Sequence, residues 1–438
     1  MEERFRQSIR DRLAEFDTLT IPRATRRDVR LLGMPGKADV VIGMRRVGKS
    51  WLLLHRIQEL LDAGVPRSRI LYCEFEDERI AGLRAEHLHQ LDDQFFAHNP
   101  GSRDQECWFF FDEIQEVPGW EKYARRLLGN HSLHLTVTGS SARLLSTEIA
   151  TSMRGRAMTT ELFPFSFAEA LAHVGIDRPD KWPVAGAARS QLQSAFERYL
   201  TTGGFPEVQA LDPEFRRRTL QGYLEIALLR DVAERHAIGN VTALRFLVRR
   251  VLRSIGSRIS ANALLKDFQS QGIAIAKSQV YAQLEHIEDA FLAFLLPLHT
   301  NSERRRMTNL RKAYAIDHGL VRACTPGTSA DAGHHLENLV YLELRRRGHV
   351  LGYHLTDDGH EVDFVAESHG GARSLVQACA DLGSPPTRAR ELDALAAAVA
   401  ETGIRDAVVV SLAEEHALVH ADVPIRIVPA WRWLLECT

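Results

Sequence analysis

The segment Gly43-Met44-Arg45-Arg46-Val47-Gly48-Lys49-Ser50 follows the apolar run Val40-Val41-Ile42 and precedes Trp51-Leu52-Leu53, placing a glycine-bearing loop between a buried strand and a helix start. This is the GxxxxGK[ST] spacing in the context its chemistry needs. Glycines let the backbone wrap around phosphates, and the loop amides and helix N-terminus supply positive potential. The lysine reaches the β- and γ-phosphates, and the hydroxyl ligates Mg2+. The nucleotide-contacting set read from the loop is Gly43, Arg45, Arg46, Val47, Gly48, Lys49, Ser50 and Trp51, with ATP and Mg2+ as cofactors. Such a loop commits the chain around it to βα units on a parallel sheet.

A second element completes the chemistry. Trp108-Phe109-Phe110-Phe111 reads as a buried strand, and it ends in Asp112-Glu113. Nucleotide hydrolysis uses one acid in the metal shell and one to polarise water, so Asp112 is assigned to the metal with Ser50, and Glu113 to the base role. The next strand, Leu133–Thr138, ends in Thr-Gly-Ser-Ser-Ala-Arg-Leu-Leu, where Ser140 is the first choice for a polar contact to the γ-phosphate or water and Thr138 the second. Met153-Arg154-Gly155-Arg156 places two arginines in a short loop, either surface charges or a finger for a neighbouring subunit's nucleotide, Arg156 ahead of Arg154.

Along the chain, a charged leading helix and a basic cluster (Arg23, Arg26, Arg27, Arg30) come before the first strand. Short apolar runs at Asp39–Ile42, Ile70–Phe75, Trp108–Phe111 and Leu133–Thr138 alternate with amphipathic stretches. Helical patterns dominate from about Phe167 to Ala293, a β-ribbon follows (Phe294–Leu298, Arg311–Ile316), and Thr325–Asp331 reads as a linker before a final α/β region.

The order of several short motifs resembles a large prokaryotic group of AAA-type ATPases. They are Gly43–Ser50, Phe75-Glu76-Asp77-Glu78-Arg79, Phe110-Phe111-Asp112-Glu113-Ile114-Gln115, the stretch Thr138–Ala142, Gly155-Arg156, Glu161–Phe167, Gly203-Gly204-Phe205-Pro206-Glu207 and Arg230–Arg235. The resemblance implies an ATPase core with the AAA+ sheet order (residues 1–165), a helical lid (166–239), a winged-helix module (240–324) and a nuclease-like C-terminal fold (325–438). In that group the C-terminal domain is one of unknown function.

With 55 Lys plus Arg against 57 Asp plus Glu, the net charge of −2 excludes a protein that coats nucleic acid indiscriminately. The charge is uneven, however. Between Val241 and Val280 stand Arg245, Arg249, Arg250, Arg253, Arg258, Lys266 and Lys277 against the single acid Asp267. Arg245, Arg249 and Arg253 fall at i, i+4, i+8 on a helix face. A break at Gly272 separates two further helices, an arrangement that presents Lys277, Ser278, Gln279 and Tyr281 to a groove, with Arg304-Arg305-Arg306 on the following ribbon as a wing. Phosphate contact without base reading is the expected mode, since arginines in a stripe track a backbone. The competing reading is a packing module with solvated arginines.

Near the C-terminus, His335–Arg346 reads as an amphipathic helix carrying Glu337, followed by Gly359-His360-Glu361-Val362-Asp363-Phe364-Val365 and Ser374–Asp381. A helix acid, a strand acid and an x-x-Lys strand resemble the restriction-endonuclease-like fold, in which two carboxylates hold Mg2+ and a lysine supports water. Glu337 and Asp363 match the acids, with Glu361 as a possible helper. Gln377 stands where the second strand acid belongs and Cys379 where the lysine belongs. The last stretch of the chain holds no lysine, and Arg373, Arg388 and Arg390 are poor substitutes, so a disabled site is expected.

The cysteines Cys73, Cys107, Cys324, Cys379 and Cys437 are odd in number and form no metal-ligand spacing, and no long apolar run occurs. A soluble cytoplasmic protein without a membrane partner is expected. The function expected is a Mg2+-dependent ATPase, a homo-oligomeric and hexameric ring, moving along or remodelling duplex or branched DNA. The alternatives are an ATP-dependent regulatory switch acting on a protein partner and an ATP-dependent nuclease.

Overall fold

Aromatic and β-branched runs supply five parallel strands in the order β2-β3-β4-β1-β5: β1 (Ala38–Ile42), β2 (Ile70–Glu74), β3 (Cys107–Asp112), β4 (Leu133–Gly139) and β5 (Ala157–Glu161). The computed structural model describes residues 2–141, 153–300, 302–308, 310–325 and 332–436. Every residue of β1 and β4 is buried, as continuous apolar strands in a two-sided parallel sheet must be. Around the sheet lie α1 (Glu2–Thr18), α2 (Lys49–Asp62), α3 (His89–His98) and α4 (Glu121–Leu127). Leu53, Ile57 and Leu60 of α2 pack with Phe16, Ile21, Ile70 and Phe110. Phe95 meets Phe109 edge-on at 5.2 Å and Phe75 meets Phe111 at 5.7 Å, so the aromatic strand is gripped from its neighbours. The four strand expectations hold to within two residues, and the strand order is the AAA+ one that the resemblance implied.

The chain divides into two compact units, Met1–Leu162 and Phe163–Thr438. The second spans every residue expected for the lid, the basic module and the C-terminal domain, 166–438. It opens with α5 (Phe167–His173), α6 (Gly186–Thr202) and α7 (Pro213–Ile226), and α7 runs on as a π-helix over Ala227–Glu234. The basic stretch folds as α8 (Val241–Leu252), β6 (Arg258–Ile259), α9 (Ala261–Ser270), α10 (Lys277–Asp289), β7 (Ala293–Leu296), α11 (Glu303–Thr308) and β8 (Arg311–Ala315). Its strands form an antiparallel sheet ordered β6-β8-β7. The helix break expected at Gly272 is present, with φ +69. The arginines expected on an extended ribbon, Arg304 to Arg306, instead lie on the short helix α11, because Glu303 and the arginines favour helix over strand.

After α12 (His318–Cys324), α13 (Ala332–Arg346) and α14 (Pro385–Thr402) pack on a six-stranded mixed sheet ordered β13-β14-β12-β11-β10-β9. Its strands are β9 (Val350–Leu355), β10 (Glu361–Glu367), β11 (Arg373–Ala378), β12 (Asp406–Ser411), β13 (His416–His420) and β14 (Val423–Pro429). Val362, Leu375, Leu395, Val409 and Ile427 make its core, and α15 (Ala430–Trp433) closes the described chain. Among the described residues no helix is long and apolar enough to cross a membrane. The expected linker positions 326–331, residues 142–145 after the second serine of the β4 loop, and Cys437 lie outside the described residues.

Candidate functional site

The loop leaving β1 is shaped by backbone that only glycine tolerates at two points. Gly48 has φ +100 at the N-cap of α2. A Cβ on Gly43 would stand 2.2 Å from the Leu162 carbonyl oxygen, a contact no side chain survives. Arg46 also adopts a left-handed conformation, φ 69. The buried Lys49 donates from Nζ to the Gly43 and Met44 carbonyl oxygens at 3.1 and 3.3 Å and pairs with Glu113 at 3.0 Å. Arg27 braces the loop from below, donating to the Val47 carbonyl at 2.8 Å. Arg45 is tied to Glu76 at 2.5 Å, while Trp51 is half-exposed.

The two carboxylates at the end of β3 sit in different environments. Asp112 is fully buried, and burial raises its pKa, opposed by hydrogen bonds from Ser50 and Thr138. Tyr72 donates to its other oxygen at 3.2 Å. For Glu113 burial alone pushes upward, but the Lys49 charge and the Gln115 hydrogen bond outweigh it and hold the carboxyl below its usual value. Glu113 is left-handed, φ 52, the kind of local strain that collects at active sites. One side chain serves both acids: Thr138 Oγ1 accepts from the Glu113 amide at 2.9 Å and donates to Asp112 Oδ1 at 2.5 Å. A hydroxyl and a carboxylate oxygen side by side suit a hard cation such as Mg2+, so the Ser50–Asp112 pair fits the expected ion.

Ser140, the first choice for a strand-tip contact, is fully buried and stands 3.5 Å from Gln115 Nε2, which in turn reaches Glu113 Oε2 at 2.5 Å. The geometry therefore brings Thr138 onto the acids, with Ser140 one residue further out behind Gln115. Gln115 and Tyr72 were missed in the sequence, although Gln115 lies two residues beyond the acidic pair. Arg154 and Arg156 are exposed in a tight turn, with φ 49 at Arg154 and 74 at Gly155. The Arg156 carbonyl accepts from the Ala38 amide at 2.7 Å, at the start of β1. Since β1 and β5 run parallel from Ala38↔Ala157, these arginines stand at the opposite end of the strand from the chain's own phosphate loop.

In the basic module the expected stripe is not uniform. Arg245 is ion-paired with Glu225, Arg250 with Asp267 at 2.6 Å, and Arg258 with Glu361 at 3.2 Å. Arg249, Arg253, Lys277 and Arg305 are exposed. Arg250, Arg253, Arg258 and Ser260 line a cavity of about 200 Å³ beside the start of α9.

The C-terminal acids are reached by a lysine after all, and this corrects the expectation of a cluster without one. Lys312 on β8 is buried, and its Nζ lies 2.6 Å from Glu337, 2.8 Å from Glu361 and 2.9 Å from Asp363. Tyr314 donates to Glu337 at 2.7 Å, and the Ala378 amide to Asp363 at 2.9 Å. Burial works against the Lys312 charge, but Asp363, Glu337 and Glu361 outweigh it and hold its pKa above the usual lysine value. Burial first, and then the Asp363 charge, push Glu337 up to about 8. Gln377 accepts from the Asp363 amide at 3.1 Å and donates to Glu391 at 2.6 Å, so it orients an acid without binding a cation. Cys379 is buried, its thiol pushed up to about 11 by burial. Lys312, Glu337, Glu361, Asp363, Gln377 and Glu391 line a cavity of about 670 Å³. The three oxygens that a divalent ion would take are already turned to an ammonium, so the residues do not fit a metal in this arrangement. A lysine directly before the apolar run Ala313-Tyr314-Ala315-Ile316 was the available sequence signal.

Sheet order, phosphate loop and acidic strand end together define an AAA-type P-loop nucleotide-binding protein. Residues 36–171 match the description of an AAA domain, and residues 193–331 match a domain of unknown function. That second match falls on the helical and basic region and not on the C-terminal sheet. An uncharacterized protein of Methanocaldococcus jannaschii, MJ1544, is 31% identical over 422 residues, covering 93% of this chain and 90% of the relative. The chain belongs to the same family as that protein. An uncharacterized protein of Haemophilus influenzae is 28% identical over 75% of this chain and 78% of its own length. Among solved structures, the Walker-type ATPase PABY2304 of Pyrococcus abyssi aligns with a TM-score of 0.37 and 18% identity, over 73% of this chain and 95% of that one.

Proposed function

We propose that the protein is a Mg2+-dependent ATPase that works as a homo-oligomeric ring, hexameric as first expected, and couples ATP turnover to contact with duplex or branched DNA. The observation that carries this reading is the convergence of Lys49, Ser50, Asp112 and Glu113 at one strand end, with Thr138 bonded to both acids. In this reading Ser50 and Asp112 hold the ion. Glu113 receives the proton of the attacking water once Lys49 turns from it to the phosphates. The placement of Arg154 and Arg156 away from their own phosphate loop supports action on a neighbouring subunit's nucleotide.

For DNA, the order α8-β6-α9-α10-β7-β8 around a small antiparallel sheet supports a winged-helix reading. The exposed Arg249, Arg253, Lys277 and Arg305 provide phosphate contacts, while the acid-paired Arg245 and Arg250 contribute less. Lys312 seated among the acids, with Gln377 and Cys379 beside them, favours a C-terminal sheet that binds or assembles over one that cuts. The test is ATP turnover by the full chain with and without duplex and four-way-junction DNA, over a salt series. Stimulation by DNA that fades with salt, and is lost in Arg253→Glu, is expected. Turnover indifferent to DNA, with no salt-sensitive binding, overturns the DNA role and leaves the switch on a protein partner.

A further inference from the structure

The stretch Arg230-Asp231-Val232-Ala233-Glu234-Arg235 takes no part in the nucleotide site, yet the backbone around it is unusual on both sides. The segment Ala227–Glu234 is wound as a π-helix, and Ala237, just past His236, is left-handed with φ 50. Wider π turns are uncommon and concentrate at functional sites, and a non-glycine residue in the left-handed region persists only where its surroundings impose it. Between these two irregularities stands His236, its amide bonded to the Val232 carbonyl at 3.1 Å.

The imidazole of His236 lies flat on that of His286 in α10, with ring centroids 3.6 Å apart and planes within 7°. Asp289 follows three residues later on the same helix, and at i, i+3 the two side chains share one face. One ligand atom from each of His236, His286 and Asp289 lies within 4.8 Å of the other two, and all three residues are half-buried.

We propose that His236, His286 and Asp289 form a binding site for a divalent transition-metal cation, zinc being the expected occupant, which fastens the end of the π segment to α10. Two imidazole nitrogens and one carboxylate oxygen are the donor set of three-ligand zinc sites, with water in the remaining position. Imidazole selects zinc, cobalt or nickel over Mg2+, so this site and the phosphate loop take different ions. Metal–ligand distances near 2.0–2.2 Å in a tetrahedron set donors about 3.4 Å apart, so the cluster closes by little more than 1 Å through side-chain rotation. An ion in the plane of one ring lies off the plane of its stacked partner, so binding turns at least one imidazole out of the stack. Because α10 also carries Lys277 and the exposed Tyr281, the ion fixes the helix that presents them.

The experiment titrates the metal-free full chain with Co2+ and then Zn2+. One equivalent of Co2+ is expected to bind with the strong visible bands of a tetrahedral nitrogen–oxygen site and to be displaced by Zn2+. Because the chain holds 19 histidines, variants decide the location. Asp289→Asn should weaken binding by at least the roughly 10–100-fold that loss of an outer-shell partner costs, and His286→Ala and His236→Gln should abolish the bands. Zn2+ should raise the thermal midpoint of the natural chain and leave that of His286→Ala in place, a comparison that holds even if the variant starts lower. A natural chain that takes up no stoichiometric Co2+, or bands equally strong in the variants, overturns the proposal.

Discussion

Each unit of this protein buries a lysine against carboxylates, and the two lysines differ in what they can exchange. Lys49 enters from a loop and is held by two carbonyl oxygens and one carboxylate, Glu113. Lys312 projects from a strand and faces three carboxylates at 2.6 to 2.9 Å. A lysine with carbonyl partners and a single acid can be drawn off by phosphates, whose charge exceeds what it leaves. A lysine set among three acids cannot leave without stranding them. The same ingredients thus make a working cation in one unit and a structural rivet in the other.

The largest expected effect tests that contrast directly. Lys312→Ala leaves the buried Glu337 and Asp363 and the half-buried Glu361 without their cation, and loss of one partner of a buried ion pair costs about 3–5 kcal/mol. Urea unfolding of the second unit should register that loss. Lys49→Ala strands a single buried carboxylate, Glu113, which keeps its Gln115 hydrogen bond, so its cost in stability should be the smaller of the two, while ATP turnover falls by ~100-fold or more. If Lys312→Ala unfolds like the natural chain, the rivet reading is broken.

The contrast also explains what could be read from the sequence. The phosphate loop, its strand and the Asp112-Glu113 pair are contiguous, so local pattern located the first site and its strand order followed. Thr138 ranked below Ser140 because composition shows which residues sit at a strand tip but not which side chain points at the acids. In the second site Glu337 and Asp363 were found, but their lysine comes from β8, a strand earlier in the chain. The x-x-Lys spacing on the adjacent strand points instead to Cys379. The pairing of Arg245 and Arg250 with Glu225 and Asp267 was hidden for the same reason, since partners across a fold leave no spacing rule. The π segment is hidden too, because its sequence reads as ordinary helix.

The two sites also separate by pH, through a change that builds gradually over several pH units. Glu337 is pushed up to about 8 in the folded protein, mainly by burial and the Asp363 charge, from an unfolded value near 4.5. The folded state then keeps a proton that the unfolded state releases. Stability from this group is full below about 4.5 and is lost as pH rises towards 8, by at most about 1.4 kcal/mol per pH unit. Glu113 is held below 4.5, burial being outweighed by Lys49 and Gln115, so its contribution is present above that value and lost on acidification. The protection factors of the α13 amides, with the intrinsic base catalysis of exchange divided out, should therefore fall between pH 5 and 8, and Glu337→Gln should remove that dependence. A flat profile in the natural chain would mean that Lys312 alone fixes the charge of the cluster.

The smallest effect concerns the hydroxyl that joins the acids of the nucleotide site. Thr138→Val preserves shape while removing the acceptor for the Glu113 amide and the donor to Asp112, a change of about 1–2 kcal/mol. Without that donor the buried Asp112 holds its negative charge less well, since burial already raises it and Thr138 is one of the groups opposing the rise. The Mg2+ concentration for half-maximal turnover should increase roughly tenfold, the equivalent of about 1.4 kcal/mol. Ser140→Ala removes a hydroxyl that stands 3.5 Å from Gln115 Nε2, so its Mg2+ dependence should stay near that of the natural chain. An equal shift in both variants would make Gln115, the residue between Ser140 and Glu113, the group that organises this end of the sheet.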